Sequence, residues 1–238
     1  MKLQAPIELE SINHSFDNKT VLAGITFAFE VNQVTAVLGK SGSGKTTLLQ
    51  IINGMTIPGG GVAKLFGKPI PYDSIQDLRL EVGYVVQQVG LFPHLTIQGN
   101  ICLLGKIRKI SKEAMNTRMY HLMDMVGLPS TFRKKYPHQL SGGEQQRVGL
   151  CRAMFLNPPV LLMDEPFGSL DYETKNSIYG HILTIQQYEP RTLVLVTHDW
   201  EEATTLADRF IWLKNGVIKT TGDKVALEKL KLTYLTDL

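Results

Sequence analysis

Gly39-Lys40-Ser41-Gly42-Ser43-Gly44-Lys45-Thr46 follows the pattern G-x-x-x-x-G-K-[ST] of a phosphate-binding loop. Its glycines let the backbone curl so that successive N–H groups point inward at phosphate oxygens, and a helix N-terminus behind it adds positive potential. Lys45 is placed to reach the β- and γ-phosphates of a nucleotide, and the Thr46 hydroxyl to hold Mg²⁺. Gly39, Ser41, Gly42, Ser43, Gly44 and Thr47 complete the candidate contacts of this segment.

About a hundred residues later comes a second segment of this kind, Leu140-Ser141-Gly142-Gly143-Glu144. Ser141 and Glu144 have the S-x-x-E spacing of a capping box, which by itself marks an ordinary helix start. Two adjacent glycines in a first helical turn are costly, at about 1 kcal/mol each against alanine. They make sense where another backbone or a phosphate must come close. A third segment, Val160-Leu161-Leu162-Met163-Asp164-Glu165, is an apolar run closed by two carboxylates. Taken alone it is a strand running into a solvated turn before Pro166. Ligands of parallel α/β sheets bind at such strand ends. His198 follows another apolar run, Thr192 to Val196, and a lone histidine there is more often structural than catalytic.

The elements that must position these residues are legible from periodicity. Val34–Leu38 reads as a buried strand before the loop, and Thr46–Ile52 as a helix after it, stopped by Asn53-Gly54. Ile7, Leu9, Ile12 and Ile25–Phe29 alternate like strands around an Asp17-Asn18-Lys19 turn. Pro58 to Gly61 is a loop leading to a strand at 62–66, and 83–87 is a short strand ending in Gln87. From Gln88 to Pro158 the character is helical. Ser111 caps a helix on which Met115, Met119, Leu122 and Val126 share one face, either core packing or a malleable surface for a partner helix. Arg209 to Thr220 is a hairpin turning at Asn215-Gly216.

The 238 residues can bury a large core, and 43% hydrophobic with 20% charged residues is ordinary for a soluble globular chain. A net charge of +3 does not by itself imply nucleic acid, and Arg133-Lys134-Lys135 is expected to be solvated surface. Cys102 and Cys151 lack metal-ligand spacing and are expected to be reduced and structural. No apolar run approaches the roughly 20 residues that span a bilayer, and residues 1–6 lack a signal-like run. Any membrane attachment is therefore expected through a partner.

The loop and the Leu140–Glu144 segment together resemble the Walker A and signature motifs of the ATP-binding cassette (ABC) ATPases, a likeness running from about Ile7 to Gly222. It implies a single α/β domain: a P-loop NTPase (RecA-like) core, 1–88 and 159–238, with an antiparallel β subdomain and an inserted α-helical subdomain, 89–158. The cofactors implied are ATP and Mg²⁺. Asp164 resembles the Walker B aspartate that helps hold Mg²⁺, and Glu165 the general base acting on the attacking water. His198 matches the switch histidine at the γ-phosphate. Gln87 matches the Q-loop glutamine that senses Mg²⁺, with Gln88 beside it as a competing assignment. Ser169-Leu170-Asp171 resembles the D-loop that crosses between cassettes. Phe16 matches the aromatic that stacks on adenine, its alternative being a core position on an early strand. Glu144 stands where the family more often has glutamine, and Lys40 at a variable position; neither removes a phosphate donor.

In that family two cassettes face head to tail, each ATP lying between one P-loop and the partner's signature segment. The chain carries two phosphate-suited helix starts, yet only the first has a lysine and hydroxyl of its own. The implied partners are a second ATPase subunit in a homodimer, transmembrane permease subunits and, indirectly, a solute-binding protein, with no nucleic acid. The implied location is the cytoplasmic face of the inner or plasma membrane. A soluble cassette for DNA repair or translation is the runner-up; a long coiled-coil insertion, a zinc-type cysteine pair and a second cassette are all missing. A GTPase would need an N-K-x-D segment, and an exporter cassette usually comes fused to membrane spans. Val82 to Thr96 is similar to the Q-loop region of importers for glycine betaine and related quaternary amines, with amino acids or other small polar solutes as the alternative. Such cassettes often carry a C-terminal regulatory module; with the sequence ending at Leu238, built-in osmotic sensing is not expected.

Overall fold

The computed structural model describes residues 5–236 apart from Gln88 and Ser169. The Gln88 alternative and the serine of the Ser169-Leu170-Asp171 segment thus lie outside the described residues.

β1 (Ile7–Phe16) and β2 (Lys19–Phe29) form an antiparallel pair, with Ile7 opposite Phe29 and Ile12 opposite Ile25. Their turn places Asp17 and Asn18 at φ 45° and 63°, the left-handed pair that a two-residue hairpin requires. β3 (Val34–Leu38) runs into the phosphate-loop segment, and α1 (Lys45–Ile52) follows it directly. β4 (Gly60–Leu65) and β5 (Lys68–Pro69) complete a four-stranded antiparallel sheet in the order β2-β1-β4-β5. β6 (Val82–Val85) is shorter than the sequence suggests and stops before Gln87.

The next elements are helical: α2 (Ile97–Ile101), α3 (Leu103–Ile107), α4 (Lys112–Met125) and α5 (Gly142–Met154). Ser111 caps α4 by accepting from the Ala114 N–H, and Met119, Leu122 and Val126 of its apolar face are buried, so the methionine stripe is core. β7 (Val160–Asp164), α6 (Tyr172–Tyr188), β8 (Thr192–Thr197), α7 (Trp200–Leu206), β9 (Arg209–Lys214), β10 (Val217–Asp223) and α8 (Lys224–Thr236) complete the chain. The second sheet has six strands in the order β10-β9-β3-β8-β7-β6, parallel except for the β9–β10 hairpin.

Alternation on the central strands sorts two cores onto the faces of this sheet. Leu161, Met163, Leu193 and Leu195 face the side packed by α4–α7, whereas Val160, Leu162, Val194 and Val196 face α1 and the antiparallel sheet. The parallel register is the feature that builds a site. Leu38 lies opposite Thr197, and Asp164 opposite Val196, so the segments leaving β3, β7 and β8 emerge at one edge.

Glu189, just past α6, braces α4 against this core. Arg118 donates to both its carboxylate oxygens at 2.8 and 3.1 Å, while His121 and the buried Arg191 approach at 3.0 and 2.8 Å. The Arg118 hydrogen bond chiefly draws the Glu189 carboxyl from 4.5 down to about 2, against an opposing desolvation. A carboxyl depressed in the fold stabilises it fully above the unfolded value and loses that contribution as pH falls toward the folded one. The full shift corresponds to about 3 kcal/mol, and solvent screening of this partly exposed group reduces it, so Glu189→Gln should cost roughly 2 kcal/mol at pH 7. Urea denaturation should show this gap shrinking as pH falls from 4.5 toward about 2; a gap independent of pH would remove the charge from the explanation.

Candidate functional site

The loop between β3 and α1 can bend only through its glycines. Gly42 and Gly44 have φ of 76° and 101°, and a Cβ on Gly44 would lie 2.7 Å from the Val21 carbonyl. Gly39 leaves no room either, since a Cβ there would come within 2.3 Å of the Leu213 carbonyl. Gly42 by contrast faces open space. The loop is held from behind by the β9–β10 turn: Gly216 N–H donates to the Ser43 carbonyl at 3.2 Å, and Ala23 N–H to the Gly216 carbonyl at 2.8 Å.

Inside the loop Lys45 is 5% exposed, and its ammonium donates to the carbonyls of Gly39 and Lys40 at 2.8 and 3.2 Å. Glu165 Oε1 stands 3.6 Å away. The Thr46 hydroxyl donates to Asp164 Oδ1 at 3.1 Å, joining two of the three positions read as metal ligands, the third being Gln87. Burial is the main cause that raises the Asp164 carboxyl above its usual range. The neighbouring Glu165 charge adds to the rise, and hydrogen bonds from Thr46 and Tyr84 oppose it. The Ser43 hydroxyl is buried without a hydrogen-bond partner in the protein.

Glu165 has φ of 42°, an uncommon conformation for a side chain of its size, and its N–H is fixed by the Val196 carbonyl at 3.0 Å. That backbone turn aims the carboxylate back over the loop, where His198 Nδ1 meets Oε2 at 3.2 Å. An open groove of about 750 Å³ gathers Phe16, Ser41, Gly42, Gly44, Lys45, Thr46, Thr47, Gln87 and Glu165. Phe16 is half exposed at its rim, edge-on to His14, rather than a core residue. An adjoining pocket of about 380 Å³ is lined by Gly39, Ser41, Glu165 and His198. Lys19, Thr20, Val21, Asn215 and Gly216 also line the groove. Sequence reasoning missed them, the only signal being the Asn215-Gly216 turn.

Ser141, Gly142, Gly143, Glu144 and Asp171 line neither pocket. The capping box is formed: Ser141 Oγ accepts from Glu144 N–H at 3.3 Å, and Glu144 Oε2 from Ser141 N–H at 2.7 Å. Asp171 caps α6, accepting from the Thr174 amide at 2.9 Å and from its hydroxyl at 2.7 Å. The two glycines differ. A Cβ on Gly143 would come within 2.3 Å of Thr174 Cγ2, whereas one on Gly142 would meet nothing nearer than Leu170 at 3.7 Å. Close packing within the chain accounts for Gly143 and leaves Gly142 unexplained by it.

Residues 22–168 match the family model described as ABC transporter. The chain is 37% identical to the glycine betaine uptake system ATP-binding protein YehX of Escherichia coli, covering 93% of this chain and 72% of that protein. It is 39% identical to the glycine betaine/carnitine/choline transport ATP-binding protein OpuCA of Bacillus subtilis, over 91% of this chain and only 57% of the relative's length. Among solved structures, a dimeric ATP-binding cassette in a post-hydrolysis state bound to ADP and Pi superimposes with a TM-score of 0.83. It is 30% identical, over 92% of this chain and 98% of that one.

The two glycines give a direct test. Thr174 could make room for a Gly143→Ala methyl only by giving up its bond to Asp171, so that variant should lose about 1–3 kcal/mol. Gly142→Ala should leave the melting temperature unchanged or raise it, because alanine is the better helix former. If Gly142 is kept for a ligand from another molecule, Gly142→Ala should still lower ATP hydrolysis. Equal melting losses in the two variants would contradict the packing described.

Proposed function

The chain belongs to the ABC transporter family as one of its ATP-binding cassettes, and from that premise we propose that it is the ATP-hydrolysing subunit of an importer for glycine betaine or a related quaternary amine. One observation carries the catalytic part. Lys45, Thr46 and Glu165 line one groove at the ends of parallel strands, with Asp164 bonded to Thr46 and His198 meeting Glu165 from the adjoining pocket.

In this reading the loop amides and Lys45 bind the β- and γ-phosphates, and the buried, unpartnered Ser43 hydroxyl gains an acceptor there. The residues fit Mg²⁺: Thr46 and Asp164 present hard oxygen donors side by side, and such ions are held by one or two protein groups together with substrate phosphates. The ion would neutralise charge building on the transferred phosphoryl group. Glu165 takes the proton of the attacking water as general base, and His198 holds that carboxylate and reaches toward the γ-phosphate. Phe16 offers its exposed face to adenine, while Gln87 at the groove reports occupancy to the permease. Ser141, Gly142, Gly143 and Glu144 serve the nucleotide of a second subunit, Asp171 standing at the same face. Residues 89–158 act as the lobe that carries this segment.

The partners in this reading are a second copy of the chain, permease subunits and a solute-binding protein. Attachment is to the cytoplasmic face through the permease; among the described residues no helix is long and apolar enough to cross a membrane. The names of YehX and OpuCA support the quaternary amine class, and the Val82–Thr96 segment points the same way.

Lys45→Ala should abolish ATP binding measured by calorimetry. Glu165→Gln should bind ATP but hydrolyse it about 10²–10⁴ times more slowly. In cells the same variant should abolish uptake of labelled glycine betaine. Loss of amino-acid uptake with glycine betaine uptake intact would instead move the substrate class.

Ser141→Arg addresses the composite site. The monomer should keep its ATP affinity, because Lys45 and Thr46 are untouched, yet dimerisation and hydrolysis should be lost. Reduced ATP affinity in the monomer would mean that the segment serves its own chain.

A further inference from the structure

His198 is 61% exposed, and its ring meets Glu165 at 3.2 Å. A side chain so little packed owes its position to the backbone on either side. Those neighbours, Thr197 and Asp199, are both tied to one buried carboxylate, Glu202, which is 2% exposed. Thr197 Oγ1 accepts from the Asp199 N–H at 3.0 Å and donates to Glu202 Oε2. Lys175 of α6 donates to Glu202 Oε1 at 3.0 Å and to Asp199 Oδ2 at 3.3 Å. Burial alone would push the Lys175 ammonium down, but Glu202 and Asp199 more than offset it and hold it above its ordinary value.

The same carboxylate reaches the other catalytic segment. Burial, and after it the Glu202 charge, raises the hydroxyl of Tyr179, one turn along α6 from Lys175, and the Tyr179 ring stands edge-on to Phe167 with centroids 5.1 Å apart. Phe167 lies two residues past Glu165. The helix carrying Lys175 and Tyr179 begins at Asp171, beside the signature segment through Thr174 and Gly143. A charged group so deeply buried is kept only where its partners satisfy it. The hydrogen-bond partners of Glu202 are Thr197, beside His198, and Lys175 of the helix that follows Asp171.

We propose that Glu202 is a positioning residue for hydrolysis: through Thr197, Asp199 and Lys175 it sets the backbone that aims His198 at Glu165, and it links that aim to the helix starting at Asp171. This rests on the reading of His198 as a residue of the hydrolytic step.

The test uses the purified chain with four proteins: wild type, Glu202→Gln, His198→Ala and the double variant. ATP affinity is measured by calorimetry, and hydrolysis under single-turnover conditions long enough to resolve residual rates. Glu202→Gln should keep ATP affinity within about two-fold and slow hydrolysis by about five-fold or more. In the His198→Ala background the same substitution should change the rate less than about two-fold, because groups that act through one another are not additive. An equal loss in both backgrounds, or a loss that follows ATP affinity, would assign Glu202 to the fold alone and overturn the proposal. So would a wild-type rate in folded Glu202→Gln beside a slow His198→Ala, and that result leaves the wider functional reading standing. A wild-type rate in His198→Ala would instead remove His198 from the mechanism and take this proposal with it. If Glu202→Gln does not fold, Lys175→Met carries the same cycle, since that side chain is 17% exposed.

Discussion

Lys45 is a cation from which water has been almost entirely removed, its solvation replaced by two peptide carbonyls of its own loop and, at 3.6 Å, the Glu165 carboxylate. An ammonium in that position is tolerable only if those acceptors are held in place. The rest of the site follows from supplying them. The loop must fold back on the lysine, which forces left-handed glycines at 42 and 44, and it must be backed closely by β9 and β2, which excludes a side chain at 39 and 44. The acceptor carboxylate must arrive from another strand, which the pairing of β3 with β8 and of β8 with β7 arranges without any loop having to search for it. The uncommon backbone at Glu165 is maintained by one hydrogen bond to Val196 and by the packing beneath it.

The helical part is joined to this edge by contacts of a different kind. Arg152 of α5 donates to the carbonyls of Val89 and Gly90 at 2.7 and 2.8 Å, and Gly149 is so close to Val89 that a Cβ would lie 2.5 Å from its Cγ1. The segment just past Gln87 is therefore fastened to the helix whose start is Ser141. A displacement of α5 would carry the Gln87 segment with it, while the Glu189 brace fixes the middle of α4 to the core.

Where function imposes a local pattern, the sequence was legible. The phosphate loop, the Asp164-Glu165 strand end and the Ser141–Glu144 capping box could be named because glycine spacing, apolar runs and cap residues act over a few positions. The strand at 62–66 and that ending at Gln87 were misplaced at their ends by one or two residues, as tertiary pairing decides where a ladder stops. Lys19, Thr20 and Val21 gave no warning of lining the groove, because long-range packing of one hairpin on another brings them there. Glu202 was equally invisible. Trp200-Glu201-Glu202 looks like an acidic, solvated first turn of a helix, and only the fold shows that one of the two glutamates is sealed inside. Asp171 was read as facing another cassette, and the structure adds that its carboxylate is already engaged in capping α6.

That engagement matters for the second phosphate-suited helix start. With the box closed, Glu144 occupies the Ser141 N–H, while the Ser141 hydroxyl accepts from Glu144 N–H and still has its own proton to donate. The Gly142 and Gly143 amides belong to the first turn, where no intrahelical acceptor exists for them. The segment is therefore ordered before any anion arrives, and little further loss of freedom accompanies binding. The carboxylate that orders it also carries a negative charge that the helix dipole favours when the face is open to water and that a phosphate would oppose. In the proposed sandwich, glutamate at this position thus stabilises the open face more than the closed one. Closure then leans more heavily on what the other half of the site contributes, namely Lys45, Thr46 and Asp164.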